Sequence, residues 1–429
     1  MNSWLFIVVF LLLLVLRVPI VFSLGLSSVV YFVMNGMTLT TIPQIMVTPF
    51  DSFPMLAVPL FMLAGELMNL GGVSRRLFAF AKALVGHIPG SLGHVSIIAS
   101  MIFAGMSGSA VAEAAGLGTV EIKEMVNDGF DPDFAAALAG SSATIGPIIP
   151  PSIPFVIYGA IVGCSVGALF AGGAIPGVLM GLAMMPYVYF VAKKRSYKIY
   201  RRATWKELLI AFKDAFLPLL TPAILLSGIL SGIVTPTEAG VLAVVYALIL
   251  GKLIYNEYTF KELFKIVLQV GQGASTVLFI ITTATVFGWI LAYESVPGVI
   301  TNILFGVSHN KFLILLILNA WFLILGCFMD TITIILVMVP MVIPAVKEAR
   351  IDLVHFGVTV TLNLMIGMLT PPVGMCAYVV ADIAKISFER VVRAAVPFMI
   401  ILTVVLLVIT YFSSTVTWLP SLFGYVPTR

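Results

Sequence analysis

MSGSA at 106–110 and FDPDFAAALAGSSATIGPIIPPS at 130–152 are joined by a helix-length run, and the same plan returns as CFMDTIT at 327–333 and ARIDLVHFGVTVTLNLMIGMLTPPVG at 349–374. Each copy holds a polar break inside apolar sequence, an acidic turn at the far end, and a second break built on Ile-Gly and Pro-Pro. Ile145, Gly146, Pro150 and Pro151 match Ile366, Gly367, Pro371 and Pro372 at identical spacing, with a one-residue slip upstream, 134–145 against 356–366. Backbone N–H and C=O groups freed inside a membrane span find no partner in lipid, so such breaks persist only where protein or a water-filled cavity surrounds them. Paired, Gly/Pro-interrupted hydrophobic segments in corresponding halves point to a secondary transporter whose site lies where the breaks meet.

Composition agrees. The 429 residues are 61% hydrophobic and 10% charged, against roughly 25% charged in a soluble domain. Apolar runs of about 20 residues recur from end to end, which predicts an all-α polytopic protein embedded in a lipid bilayer. The first run starts at residue 4 without a basic flank or a small-residue cleavage site, so it is expected to be a retained helix. Cys164, Cys327 and Cys376 are scattered, and His87, His94, His309 and His355 show no ligand spacing, so neither a disulfide framework nor a transition-metal cluster is expected. The sequence has no P-loop, dinucleotide fingerprint or nucleophile elbow. It is therefore not expected to be an enzyme or to hydrolyse ATP, and nothing suggests a nucleic-acid partner. A proton-pumping or redox subunit would need a chain of intramembrane acids or histidines, and the spans are nearly free of them.

The expected organisation runs in two halves. Scaffold helices and a surface arm occupy 1–90, with spans at 4–16, 18–34 and 52–70. A re-entrant hairpin, a broken helix and one further span occupy 91–192. A basic linker, 193–214, leads to the second scaffold at 215–310. A second hairpin, broken helix and final span fill 311–417, and 418–429 is a tail. With the linker placed in the cytoplasm, nineteen of the 23 Lys and Arg fall inside, including Arg17; only Lys311, Lys347, Arg350 and Arg429 fall outside. That asymmetry satisfies the positive-inside rule. It inverts the two repeats relative to each other and leaves both termini periplasmic.

The breaks set the chemistry. A helix that stops at Thr144 aims carbonyls at its break, and one that restarts at Ser152 aims N–H groups there; carbonyls and hydroxyls suit a small hard cation, N–H groups an anion. One Na⁺ is expected between Ser107, Gly108 and Ser109 of the first tip and Thr144, Gly146, Pro147 and Pro150 of the first break. A second is expected between Asp330, Thr331 and Thr333 of the second tip and Gly367, Thr370 and Pro371 of the second break. With no Lys or Arg at the site, an anionic substrate would rest on Ser109, Ser141, Ser142, Ser152 and Gly374, with Ser96 facing in from the hairpin arm. Against these stand structural readings. A membrane-helix Ser often bonds back to the previous turn. Thr235 and Glu238 form a capping box, and Asp131 is an N-cap before Pro132. Glu66 and Asp382 read as interfacial. Glu113 either shapes the site or pairs, and Asp330 either serves the site or caps the returning arm.

The GMSGSA tip, the GF-DP turn and the IGPIIPPS break, mirrored by FMDTIT and LTPPVG, resemble the large membrane subunit of tripartite ATP-independent periplasmic (TRAP) transporters over essentially the whole chain, and most of all its sialic-acid type. The resemblance implies an ion-transporter-like fold with a scaffold and a moving transport domain, an elevator motion, and Na⁺-driven uptake of an organic acid across the bacterial inner membrane. It also implies two partners, a small four-helix membrane subunit, expected here as a separate chain, and a periplasmic substrate-binding protein. The alternative is a stand-alone Na⁺/dicarboxylate symporter or antiporter of the same fold class.

Overall fold

The computed structural model describes residues 5–16 and 18–427, so the placements expected for Arg17 and Arg429 lie outside the described residues. Among those residues the chain is all-helical. The first half holds α1 (Leu5–Val15), α2 (Ile20–Met34), α3 (Thr41–Val47), α4 (Ala57–Leu70), α5 (Val73–Val85), α6 (Ser91–Ser107), α7 (Ala110–Asn127), α8 (Pro132–Ala143), α9 (Ile153–Val162) and α10 (Val166–Arg195). The second holds α11 (Trp205–Leu230), α12 (Pro236–Leu248), α13 (Phe260–Tyr293), α14 (Val296–Val307), α15 (Lys311–Phe328), α16 (Thr331–Glu348), α17 (Leu353–Gly367), α18 (Met375–Ala384), α19 (Phe388–Tyr411) and α20 (Ser414–Leu422). Eight helices among the described residues are long and apolar enough to cross a membrane. The chain is a multi-pass helical membrane protein.

The order hairpin, turn, broken helix, span occurs twice, as α6–α10 and α15–α19. The two copies interlock. The helix after the first break, α9, packs against α16 of the second hairpin, and the helix after the second break, α18, packs against α7 of the first. Beside them α4 packs on α12 and α13, and α2 on α13, with α13 meeting α16 of the second hairpin and α4 meeting α6 of the first.

Local chemistry starts several helices as the sequence predicts. The box of Thr235 and Glu238 opens α12, and equivalent boxes, Thr204 with Glu207 and Thr259 with Glu262, open α11 and α13. Each satisfies backbone N–H groups that the first turn leaves free. The box at Thr204 ends the basic linker earlier than expected. Lys193, Lys194 and Arg195 are the last turn of α10, 197–204 take no regular secondary structure, and α11 takes the rest. The final span also starts earlier, at Phe388, and the segment after it coils into α20.

Asp131 departs from its expected role. It stands at the N-cap of α8 but makes no side-chain cap bond. Its carboxylate instead accepts from the Tyr197 hydroxyl at 2.7 Å and pairs with Arg195 at 2.5 Å. The Tyr197 hydroxyl chiefly, and the Arg195 charge after it, hold its pKa below the ordinary carboxylate value against the opposing effect of burial. Asp128 accepts from Tyr200 at 2.9 Å and pairs with Lys198 at 3.3 Å. The linker is thus strapped to the far turn of the first hairpin.

Candidate transport site

The two tips are built alike. Gly108 ends α6 with φ of +60°, a left-handed conformation that glycine adopts without steric cost. This turns the chain so that Ser109 caps α7, its hydroxyl accepting from the Ala112 N–H. The tip touches the first break directly, with the Gly108 carbonyl accepting from the Ile153 N–H at 3.3 Å. At the second tip Asp330 caps α16, accepting from the Thr333 N–H at 3.0 Å and from the Thr333 hydroxyl. The Cys327 carbonyl accepts from the Val373 N–H at 3.1 Å, which ties this tip to the second break. Pro150–Pro151 and Pro371–Pro372 are both cis.

Both tips open onto one cavity of about 120 Å³. Gly108 and Ser109 line it from the first tip, Asp330 and Thr331 from the second, and Pro147 and Ile153 from the first break. Met62 of α4 and Val277 of α13 form the facing wall, and Met365, Met368 and Met375 bring in the second broken helix. A larger cleft of about 440 Å³ adjoins it and shares Met62 and Ser109; Ser107, Glu66, Gln269 and Gln272 are among its lining residues.

The other candidate residues do not line either space. Ser141, Thr144 and Thr370 donate back to carbonyls of their own helices at 2.6–2.9 Å. Ser152 caps α9 and donates to the Pro147 carbonyl. Gly374 sits at the start of α18, and the Thr333 hydroxyl is taken by Asp330. Ser96 does not face a substrate space. It donates to Glu121 at 2.7 Å, with Ser142 at 3.5 Å, in the buried seam between the hairpin arms and α8. Glu121 was not visible as its partner, because the two lie on opposite arms. Gly146 lies under Glu113, since a Cβ there would fall 2.4 Å from the Glu113 carboxylate. Glu113 is buried with Ser100 beside its carboxylate, and its approach to Gly146 places it against the first break.

Glu66, near the end of α4, also lines the cleft and faces the first tip. Gln269 and Gln272 were missed, although their spacing on an apolar helix was a signal. Asp382 is exposed and paired with Lys385 at 3.0 Å.

The oxygen set at the tips fits a small hard cation. Ser107 Oγ and Thr331 Oγ1 are buried and have no hydrogen-bond partner among the described residues, one at each tip, and an unpartnered buried hydroxyl costs about 1–3 kcal/mol unless something satisfies it. Oxygen ligands without thiolate or imidazole suit Na⁺ better than a soft metal.

Two interlocked hairpins, two interrupted helices and a shared cavity at their tips define a membrane carrier of the secondary-transporter class. Residues 7–415 match the family described as "Tripartite ATP-independent periplasmic transporter, DctM component", and the chain belongs to this family of large permease subunits. It is 44% identical over 409 residues to the sialic acid TRAP transporter large permease protein SiaM of Vibrio cholerae, which covers 95% of this chain and 96% of that one. It is 41% identical to the sialic acid TRAP transporter permease protein SiaT of Haemophilus influenzae, over 98% of this chain and 68% of that one. It is 37% identical to the C4-dicarboxylate TRAP transporter large permease protein DctM of Pseudomonas aeruginosa, over 87% of this chain and 88% of that one. These relatives are named as transporter permeases, not as enzymes.

Proposed function

We propose that this chain takes up an organic acid, sialic acid first among candidates, across the bacterial inner membrane, driven by two Na⁺ ions and delivered by a periplasmic binding protein. The observation that carries this reading is the single cavity lined by both tips and the first break. Two relatives named for sialic acid support the substrate. One Na⁺ sits at each tip, where the unpartnered Ser107 and Thr331 hydroxyls and the Asp330 carboxylate supply oxygens. The interlocked hairpins and broken helices move as one transport domain against α2, α4, α12 and α13. A small membrane subunit holds those helices in place.

Energetics favour two cations. Moving one net charge through 100 mV is worth about 2.3 kcal/mol, and a tenfold Na⁺ gradient adds about 1.4 kcal/mol per ion. One Na⁺ with a monoanion is electroneutral and supports only about tenfold accumulation. Two Na⁺ gain about 5 kcal/mol, enough for accumulation on the order of thousands-fold. Uptake that generates no current at fixed substrate charge would refute the stoichiometry.

The deciding experiment is uptake of labelled sialic acid into proteoliposomes that hold this chain and its small subunit, under an inward Na⁺ gradient. Uptake is expected only with both Na⁺ and the binding protein. Uptake with Na⁺ alone would favour the stand-alone carrier. Orientation has its own test. In a background free of Cys164, Cys327 and Cys376, Arg201→Cys on the strap is expected to react with an impermeant maleimide in inside-out vesicles and not in right-side-out ones. The reverse pattern would overturn the assignment of both termini to the periplasm.

A further inference from the structure

The cleft beside the tips has a wall that cation binding leaves unused. Glu66 on α4 and Gln269, Gln272 and Thr276 on α13 face Ser107 and Ser109 of the first tip across it. Residues 269, 272 and 276 recur at steps of three and four, so they share one face of α13. No side chain of Glu66, Gln269 or Gln272 has a hydrogen-bond or ion-pair partner among the described residues. Both carrying helices are long and apolar enough to cross a membrane, Gln269, Gln272 and Thr276 are exposed and Glu66 is half-buried, so these polar side chains are free to meet a ligand in the cleft.

Size and chemistry narrow the ligand. The cleft, about 440 Å³, lies in the roughly 300–1,000 Å³ range that holds a drug-sized molecule. The cavity between the tips, about 120 Å³, holds only part of one. Met62 and Ser109 line both spaces, so one ligand can occupy the two together. Carboxamides offer donors and acceptors side by side, and an ionised carboxylate only accepts. That set matches hydroxyl groups. It does not match a second carboxylate, because Glu66 would repel it and neither Lys nor Arg lines the cleft.

We propose that the cleft binds the polyhydroxylated part of a monocarboxylate whose acid end lies between the tips. Glu66, Gln269 and Gln272 thereby select a sugar acid over a short dicarboxylate. This rests on the transport function proposed above and assigns its substrate class to named residues.

Binding of labelled sialic acid to the purified complex in Na⁺ tests it, with three competitors: unlabelled sialic acid, an analogue cut back at its hydroxylated side chain, and succinate. The analogue is expected to compete about tenfold more weakly than sialic acid, and succinate not to compete. Gln269→Leu combined with Gln272→Leu is expected to weaken sialic acid binding about tenfold, the worth of one or two lost hydrogen bonds, and to bring it level with the analogue. The Na⁺-induced rise in melting temperature reports that the variant is folded. Glu66→Gln is expected to let succinate compete. The proposal is overturned if the double variant still prefers sialic acid over the analogue as strongly as the unaltered chain does, or if succinate competes with the unaltered chain. If the complex binds no sialic acid in Na⁺ even when the loaded binding protein presents it, the transport reading itself fails and takes this proposal with it.

Discussion

Asp330→Asn is expected to leave the fold intact while raising the Na⁺ concentration for half-maximal uptake ten- to a hundred-fold. Asp330 does two things that its position alone cannot separate. It caps α16 through the Thr333 N–H, and it places a carboxylate on the shared cavity. Asparagine caps a helix as well as aspartate does, so the substitution keeps the first role and removes the charge needed for the second. Interactions with a charged group are worth about 1.5–3 kcal/mol, which sets the size of the shift. Asp330→Ala removes both roles and should also lower the melting temperature, since losing a cap costs about 0.5–2 kcal/mol. Uptake titrated with Na⁺ for both variants, beside their melting curves, separates the roles. An unchanged Na⁺ dependence in Asp330→Asn would reduce Asp330 to a cap and remove the charged ligand from the second cation site.

The parts of this site that were legible in the sequence are those written in local chemistry. Breaks at IGPIIPPS and LTPPVG follow from clustering: a Gly and a Pro-Pro pair within six residues end a helix, whereas the single prolines Pro176, Pro186, Pro340 and Pro397 stay inside theirs. The tip at Ser107–Ser109 follows from a capping residue within a small-residue turn, and the one at Asp330 from an acid standing alone inside an apolar run. The box at Thr235 and Glu238 is a four-residue pattern, and the one at Thr204 and Glu207 was equally present, masked by the surrounding basic residues. What could not be read depends on which helix meets which. Ser96 finds Glu121 on the other arm of its hairpin, and nothing near either residue announces the partner. Glu66 reads as interfacial because it lies close to the end of its helix. It also lines the cleft because α4 and α13 stand opposite the first tip. Ser141 and Ser142 fell on the side that membrane helices favour, bonding to the turn before them, so at the two tips the open hydroxyls are those of Ser107 and Thr331.

The closest backbone approach in the second half predicts the largest structural effect. A Cβ on Gly367 would fall 2.7 Å from the Gly326 carbonyl oxygen and 2.8 Å from its carbon and Cα. The obstacle is the backbone of α15, which cannot rotate aside as a side chain would. Gly367→Ala must therefore push the second break away from its hairpin arm. Overpacking of this kind costs about 1–3 kcal/mol and occasionally more. Here it also displaces the carbonyls proposed to hold the second Na⁺, so uptake is expected to fall below detection and Na⁺ to stop raising the melting temperature. Two neighbouring changes grade the effect. A Cβ on Gly326 would find its nearest atom, Gly367 Cα, at 3.3 Å, so Gly326→Ala should be tolerated with a small loss. A Cβ on Gly146 would meet the end of the Glu113 side chain at 2.4 Å, which can swing away, so Gly146→Ala should fall between the two. Equal melting temperatures and equal uptake for all three would mean that the helices part there without cost, and the tight seam between hairpin and break would not be what fixes the second cation site.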